Sequence, residues 1–181
     1  KQVRNGIWNR EQNRGVELSG KTVAIIGYGN NGSAFAKALS GFDCNVIAYD
    51  KYLENINSQY AVQKEMSDIY IKADVVSLHV PLTDETNYLV NKEFINSFKK
   101  PFYLINTARG KCANTKDIVS ALDSKKILGV CLDVHEYEKS SFESIDQIPS
   151  DLKKILESKK AIFSPHIAGW TQESNQKISE V

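Results

Sequence analysis

Six short apolar runs, most of them rich in β-branched residues, recur along the chain. They are "TVAIIG" (22–27), "NVIAY" (45–49), "VVSLHV" (75–80), "FYLINT" (102–107), "ILGVCLDV" (127–134) and "AIFSP" (161–165). Near-continuous apolar character over so few residues fits strands buried on both faces, whereas a strand with one wet face would alternate. Between most of them lie segments with helical periodicity, such as "SAFAKAL" (33–39), "KEMSDIYIKA" (64–73) and "TKDIVSALDS" (115–124). Strand alternating with helix predicts an α/β fold, a doubly wound parallel sheet of six strands covered on both faces as three α/β/α layers. Ligands of such a sheet bind outside the carboxyl ends of its strands, so the residues that follow each run are the candidates for function.

The chain has 181 residues, 41% of them hydrophobic, which is enough for one core of this kind; two full domains would be a squeeze. Twenty-three basic against 22 acidic side chains give no electrostatic reason to expect nucleic acid or an anionic membrane as partner. Cys44, Cys112 and Cys131 are odd in number and widely spaced, which predicts reduced thiols in a cytoplasmic protein and no metal site. No apolar stretch approaches the roughly 18 to 20 residues that cross a bilayer. The chain opens on Lys1, its only methionine is Met66, and it closes within "TQESNQKISEV", a polar helical-looking segment with neither glycine cap nor proline stop. The expectation is an excised piece of a longer protein: a connector over 1–19, a nucleotide-binding domain over 20–170, and the start of a helix over 171–181. Trp8, in the connector, is expected to pack between domains.

After the first run comes "GYGNNG", in which Gly27, Gly29 and Gly32 keep the G-x-G-x-x-G spacing and helix-forming residues follow at once. Gly27 permits a tight turn, Gly29 lets a pyrophosphate approach the backbone, and Gly32 lets helix and strand pack closely, with the helix amino terminus aimed at the anion. The motif alone is a weak signal. Asp50, however, ends the second run 18 residues beyond Gly32, close to the roughly 20 expected of an acid that binds a ribose diol. Together they predict a Rossmann-type domain that prefers NAD to NADP, since a carboxylate repels a 2'-phosphate; Lys51 softens that preference.

Three more runs end in chemistry: "INTARGK" in Arg109, "GVCLDVHEYE" in Asp133 and Glu138, and "FSPHIAG" in His166. All should share the edge that carries the glycine loop. At this point the sequence resembles the NAD-binding domain of the D-isomer-specific 2-hydroxyacid dehydrogenases, in particular D-3-phosphoglycerate dehydrogenases and hydroxypyruvate reductases. The likeness runs from "ELSGKTVAIIGYGNNG" through "VVSLHVPLTDETNYLVN" and "NTARG" to "PHIAGWT". The resemblance implies that Arg109 grips the substrate carboxylate or carbonyl, His166 exchanges the hydroxyl proton, and Glu138 orients His166, with Glu136 as the nearby rival. It implies that Asn30 and Asn31 approach the pyrophosphate through backbone, that Asp50 meets the adenosine ribose, and that Val80 and Pro81 wall the adenosine half. Thr107, Ala108 and Asp133 would meet the nicotinamide end, with Ala168 and Gly169 beside it. His79 and His135 are expected to be structural.

Such chemistry needs such residues. Hydride can leave a carbinol carbon only as the hydroxyl proton departs, so a base must stand about 2.6 to 3.2 Å away. Histidine serves both directions, a neighbouring carboxylate favours its protonated form, and arginine's planar fork matches a substrate carboxylate. In this picture Pro165 ends the last strand. Some positions depart from the family's habit. Asn31 replaces an aliphatic residue, which implies looser helix packing and weaker cofactor binding; Ala168 replaces a glycine; and a longer excursion separates Glu138 from the sixth run.

The favoured function is an NAD-dependent D-2-hydroxyacid dehydrogenase, with 3-phosphoglycerate as the leading substrate and a homodimer as the expected assembly. The alternative is an NADH-sensing regulator resembling the corepressors built on the same fold. Formate dehydrogenase fits less well, because that branch has no counterpart of Glu138. Without a substrate domain these 181 residues are expected to turn over little or nothing.

Overall fold

The computed structural model describes residues 2–138 and 148–179. Its strands are β1 (Thr22–Ile26), β2 (Asn45–Tyr49), β3 (Val62–Gln63), β4 (Val75–Leu78), β5 (Phe102–Asn106), β6 (Ile127–Leu132) and β7 (Ala161–Phe163). They form one sheet in the order β3-β2-β1-β4-β5-β6-β7, every pair parallel. The chain winds outward from β1 through β2 and β3, then returns past β1 to add β4 to β7 on its other side. The helices are α1 (Asn30–Leu39), α2 (Met66–Lys72), α3 (Lys92–Ser97), α4 (Thr115–Asp123), α5 (Ser150–Glu157) and α6 (Gln172–Ser179).

Side chains alternate across β1: Ala24 and Ile26 join a large core with residues of α2, α3, α4 and α5, while Ile25 joins Ala36 of α1 and Ala48 of β2 in a smaller one. Period-two alternation with both faces buried is what makes these strands read as continuous apolar runs. Phe98 and Phe102 stack at 4.0 Å between ring centroids and are almost wholly buried; each such side chain contributes about 1.5 to 3 kcal/mol. Asn91 and Asn114 start α3 and α4 by accepting hydrogen bonds from the Phe94 and Asp117 amides.

The register sets the site. Tyr49, Ile26, Leu78, Asn106, Leu132 and Phe163 pair in one row across six strands. The residues that follow them, Asp50, Gly27, His79, Thr107, Asp133 and Ser164, therefore emerge side by side at a single edge.

Seven strands, not six, build the sheet. Two-residue β3 is held only through the pairs Ile47–Val62 and Ala48–Gln63, too short to leave an apolar run. The expected third and fifth strands stop early because His79–Val80 and Asp133–Val134 already belong to edge loops, and β7 stops at Phe163, two residues short of Pro165. Helix α5 occupies part of the stretch expected to be an excursion: its Leu152 and Ile155 are fully buried, whereas residues 139–147 of that stretch lie outside the described residues, as do residues 180–181 of the tail. The first residues form only two 3-10 turns, with Trp8 80% exposed.

Candidate functional site

Leaving β1, the backbone turns at Gly27 with φ of +91°, and a β-carbon there would meet the His79 carbonyl at 2.6 Å. A methyl at Gly32 would run into the Gly27 carbonyl, which is why α1 can press against β1. Gly29 differs from both, for nothing lies within 4 Å of where its β-carbon would be. It offers exposed backbone under open space at the start of a ten-residue helix, a cradle suited to a phosphate. Asn30 and Asn31 are exposed in the first turn of α1, whose buried face consists of Gly32, Ala36 and Leu39. Asn31 therefore costs the helix no packing, contrary to expectation. Asp50 closes the same loop: its Oδ2 accepts the Tyr28 amide at 2.8 Å and its Oδ1 the Tyr52 amide at 2.9 Å. Gly27, Gly29, Asp50, Val80 and Pro81 line one cleft of about 360 Å³. Open glycine backbone, a helix start and a carboxylate in one groove fit a dinucleotide.

Further along the row, buried Asn106 shapes the next loop. Its Nδ2 donates to the Arg109 carbonyl at 3.1 Å and its Oδ1 accepts the Ala108 amide at 3.0 Å, while Thr107 and Arg109 are exposed and the Arg109 guanidinium donates to the Ala108 carbonyl at 2.7 Å. Gly110 then packs so closely against the His135 carbonyl that a β-carbon has no room. The loop bearing Arg109 and the loop bearing Glu138 are thus in direct contact.

Asp133 is 4% exposed and grips the loop after β7. Its Oδ1 accepts the Ser164 hydroxyl at 2.5 Å and the Ile167 amide at 2.9 Å, its Oδ2 accepts the Ala168 amide at 2.9 Å, and its carbonyl accepts the His166 amide at 2.8 Å. Burial pushes this carboxyl's pKa up, but the bonds from Ser164, Ala168 and Ile167 and the His166 charge outweigh it, so the net direction is down. Under this grip His166 takes φ of +54°, a left-handed conformation uncommon outside glycine. Its Nδ1 lies 2.9 Å from Glu138 Oε2, and Glu138 Oε1 accepts the His135 amide at 2.6 Å. Ala168 and Gly169 are exposed immediately beyond.

Glu136 is directed elsewhere: its Oε1 accepts the Thr115 amide at the start of α4, 2.9 Å away. The other two histidines are packed. His79 shares a 2.9 Å hydrogen bond with Ser77 and stands 5.1 Å from the Phe35 ring; His135 stacks on Phe163. Burial lowers the pKa of both. Residues that sequence reasoning missed are Asn106, whose signal was an amide ending a buried strand, and Glu85, which meets Lys51 across 34 positions and leaves no local pattern. Among the described residues, none gather as a metal-binding group, and no helix is long and apolar enough to cross a membrane.

A model of the family described as D-isomer specific 2-hydroxyacid dehydrogenase, NAD binding domain, matches residues 1–168. Similar curated proteins include 2-hydroxyacid dehydrogenase A of Aspergillus oryzae, 39% identical over 183 residues, and glyoxylate reductase of Thermofilum pendens, 36% identical over 191. These alignments cover 99% of this chain and 53% and 52% of the relatives, so the chain spans about half their length. Among solved structures, D-lactate dehydrogenase from Aquifex aeolicus complexed with NAD and lactic acid superposes with a TM-score of 0.86 at 32% identity, over 99% of this chain and 56% of that one.

Proposed function

Since the chain belongs to the D-isomer-specific 2-hydroxyacid dehydrogenases, as their NAD-binding domain, we propose that the intact protein interconverts a small D-2-hydroxy acid and its 2-keto acid. The observation that carries this reading is the 2.9 Å contact between His166 Nδ1 and Glu138 Oε2 at the sheet edge shared with the glycine loop. Bound NAD supplies the hydride acceptor. In oxidation His166 takes the hydroxyl proton at Nε2 while Glu138 holds the opposite nitrogen; in reduction the same proton is returned. Arg109 grips the substrate carboxylate with its two-pronged guanidinium, on a loop braced by Asn106. Asp133 acts through position, keeping His166 at the cleft. The backbone around Gly29 and Asn30 serves the pyrophosphate, and Asp50 the ribose.

The relatives' names, which include glyoxylate reductase and D-lactate dehydrogenase, favour pyruvate or glyoxylate over the phosphorylated acid expected from sequence. Those names are of enzymes, which leaves the regulatory reading without support. The test is reduction of pyruvate, glyoxylate and 3-phosphohydroxypyruvate by the intact protein with NADH. The expected result is kcat/KM at least about 10-fold higher for one of the unphosphorylated acids; a preference for 3-phosphohydroxypyruvate would reverse the substrate assignment. Residues 1–181 alone are expected to bind NADH with little turnover, since half of the substrate cleft would come from outside them.

A further inference from the structure

Lys51 follows Asp50 at the carboxyl end of β2, where a cation would be the natural partner of a 2'-phosphate. That cation is already paired. Its Nζ lies 2.6 Å from Glu85 Oε1 and 5.8 Å from the centre of the Tyr52 ring, while Glu85 Oε2 accepts the Tyr52 hydroxyl at 2.9 Å. Glu85 is presented by a tight turn after β4: the Thr83 amide donates to Thr86 Oγ1 at 2.8 Å, Thr86 Oγ1 donates to the Pro81 carbonyl at 2.6 Å, and the Asn87 amide donates to the Thr83 carbonyl at 2.9 Å. Asp50, Lys51, Tyr52 and Glu85 all line the cleft assigned to the adenosine half of the cofactor.

We propose that Glu85 is a specificity-determining residue, which holds Lys51 against the far rim of the cleft and so withholds it from a cofactor bearing a 2'-phosphate. The inference rests on the nucleotide reading of that cleft. Asp50 supplies repulsion, and Glu85 removes the one adjacent lysine that would oppose it. The hydrogen bonds from Lys51 and Tyr52 draw the Glu85 pKa down, consistent with a charged clasp at neutral pH. Both partners are about half exposed. Exposed pairs shift equilibria by up to about fivefold, so the clasp adds to the discrimination by Asp50 without replacing it.

The experiment is calorimetric titration of the intact protein with NADH and with NADPH at low ionic strength, for the wild type, Glu85→Ala, Glu85→Gln and the double variant K51M/E85A. The expected result is a fall of roughly 3- to 5-fold in Kd(NADPH)/Kd(NADH) for Glu85→Ala, a fall in the same direction for Glu85→Gln, and a ratio restored toward wild type in the double variant. An unchanged ratio in both single variants, or a fall that persists in full without Lys51, overturns the proposal. Failure of the nucleotide reading is distinguishable, because the wild type would then bind neither cofactor; that result would remove the proposal with it.

Discussion

Glu136 and Glu138 are two positions apart, yet one supports the start of α4 and the other faces His166. Replacing Glu138 by Gln keeps the shape and removes the charge, so kcat in the intact protein is expected to fall by about 100-fold or more. Glu136→Ala is expected to leave kcat within about twofold while lowering stability by about 1 kcal/mol, measured by urea denaturation, because the Thr115 amide loses its acceptor. Equal kinetic losses in both variants would contradict the division of labour. The sequence pattern showed that an arginine, a glutamate and a histidine follow successive strands. It could not show which glutamate turns inward, because that depends on α4, whose capped start takes Glu136 away. Nor could it reveal the Asp133 grip, whose partners are 31 to 35 residues distant.

Among elements, the loops after β5 and β6 are packed through Gly110, where a side chain would strike the His135 carbonyl and the Glu136 amide. Gly110→Ala must push the loops apart; the expected outcome is about 1 to 3 kcal/mol of lost stability together with reduced turnover. Gly41→Ala, in open space, serves as control and should stay within about 0.5 kcal/mol. Buried parallel strands announce themselves by apolar runs, which is why β1, β2, β4, β5 and β6 were legible. Edge strand β3 is two residues long and leaves no apolar run, whereas α5 does carry helical spacing in Leu152 and Ile155 but is short and sits in a polar stretch that reads as an excursion. Helix α1 begins at Asn30, before its apolar period, because the glycine loop sets its start.

For the molecule as a whole, two part-buried histidines couple folding to acidity. His79 and His135 have pKa values lowered from 6.5 by burial, so just below that pH the unfolded chain binds more protons than the folded one and stability must fall. Asp74 and Asp133 are displaced below 3.8; burial opposes this, but hydrogen bonds from Lys100 and Thr22, and from Ser164, Ala168 and Ile167, prevail. Their contribution is complete above 3.8 and is lost below it. Urea midpoints are therefore expected to be level between about pH 7 and 8, to decline as pH drops through 6.5, and to decline again in the carboxylate range. Replacing both histidines by glutamine should abolish the first decline and leave the second. Three-residue β7 lies at the margin of the sheet with Ile162 68% exposed, and it delivers the imidazole. Margins fray before centres; on warming, the proposed proton carrier would lose its station while the middle strands still hold, and the molecule would fall silent before it melts.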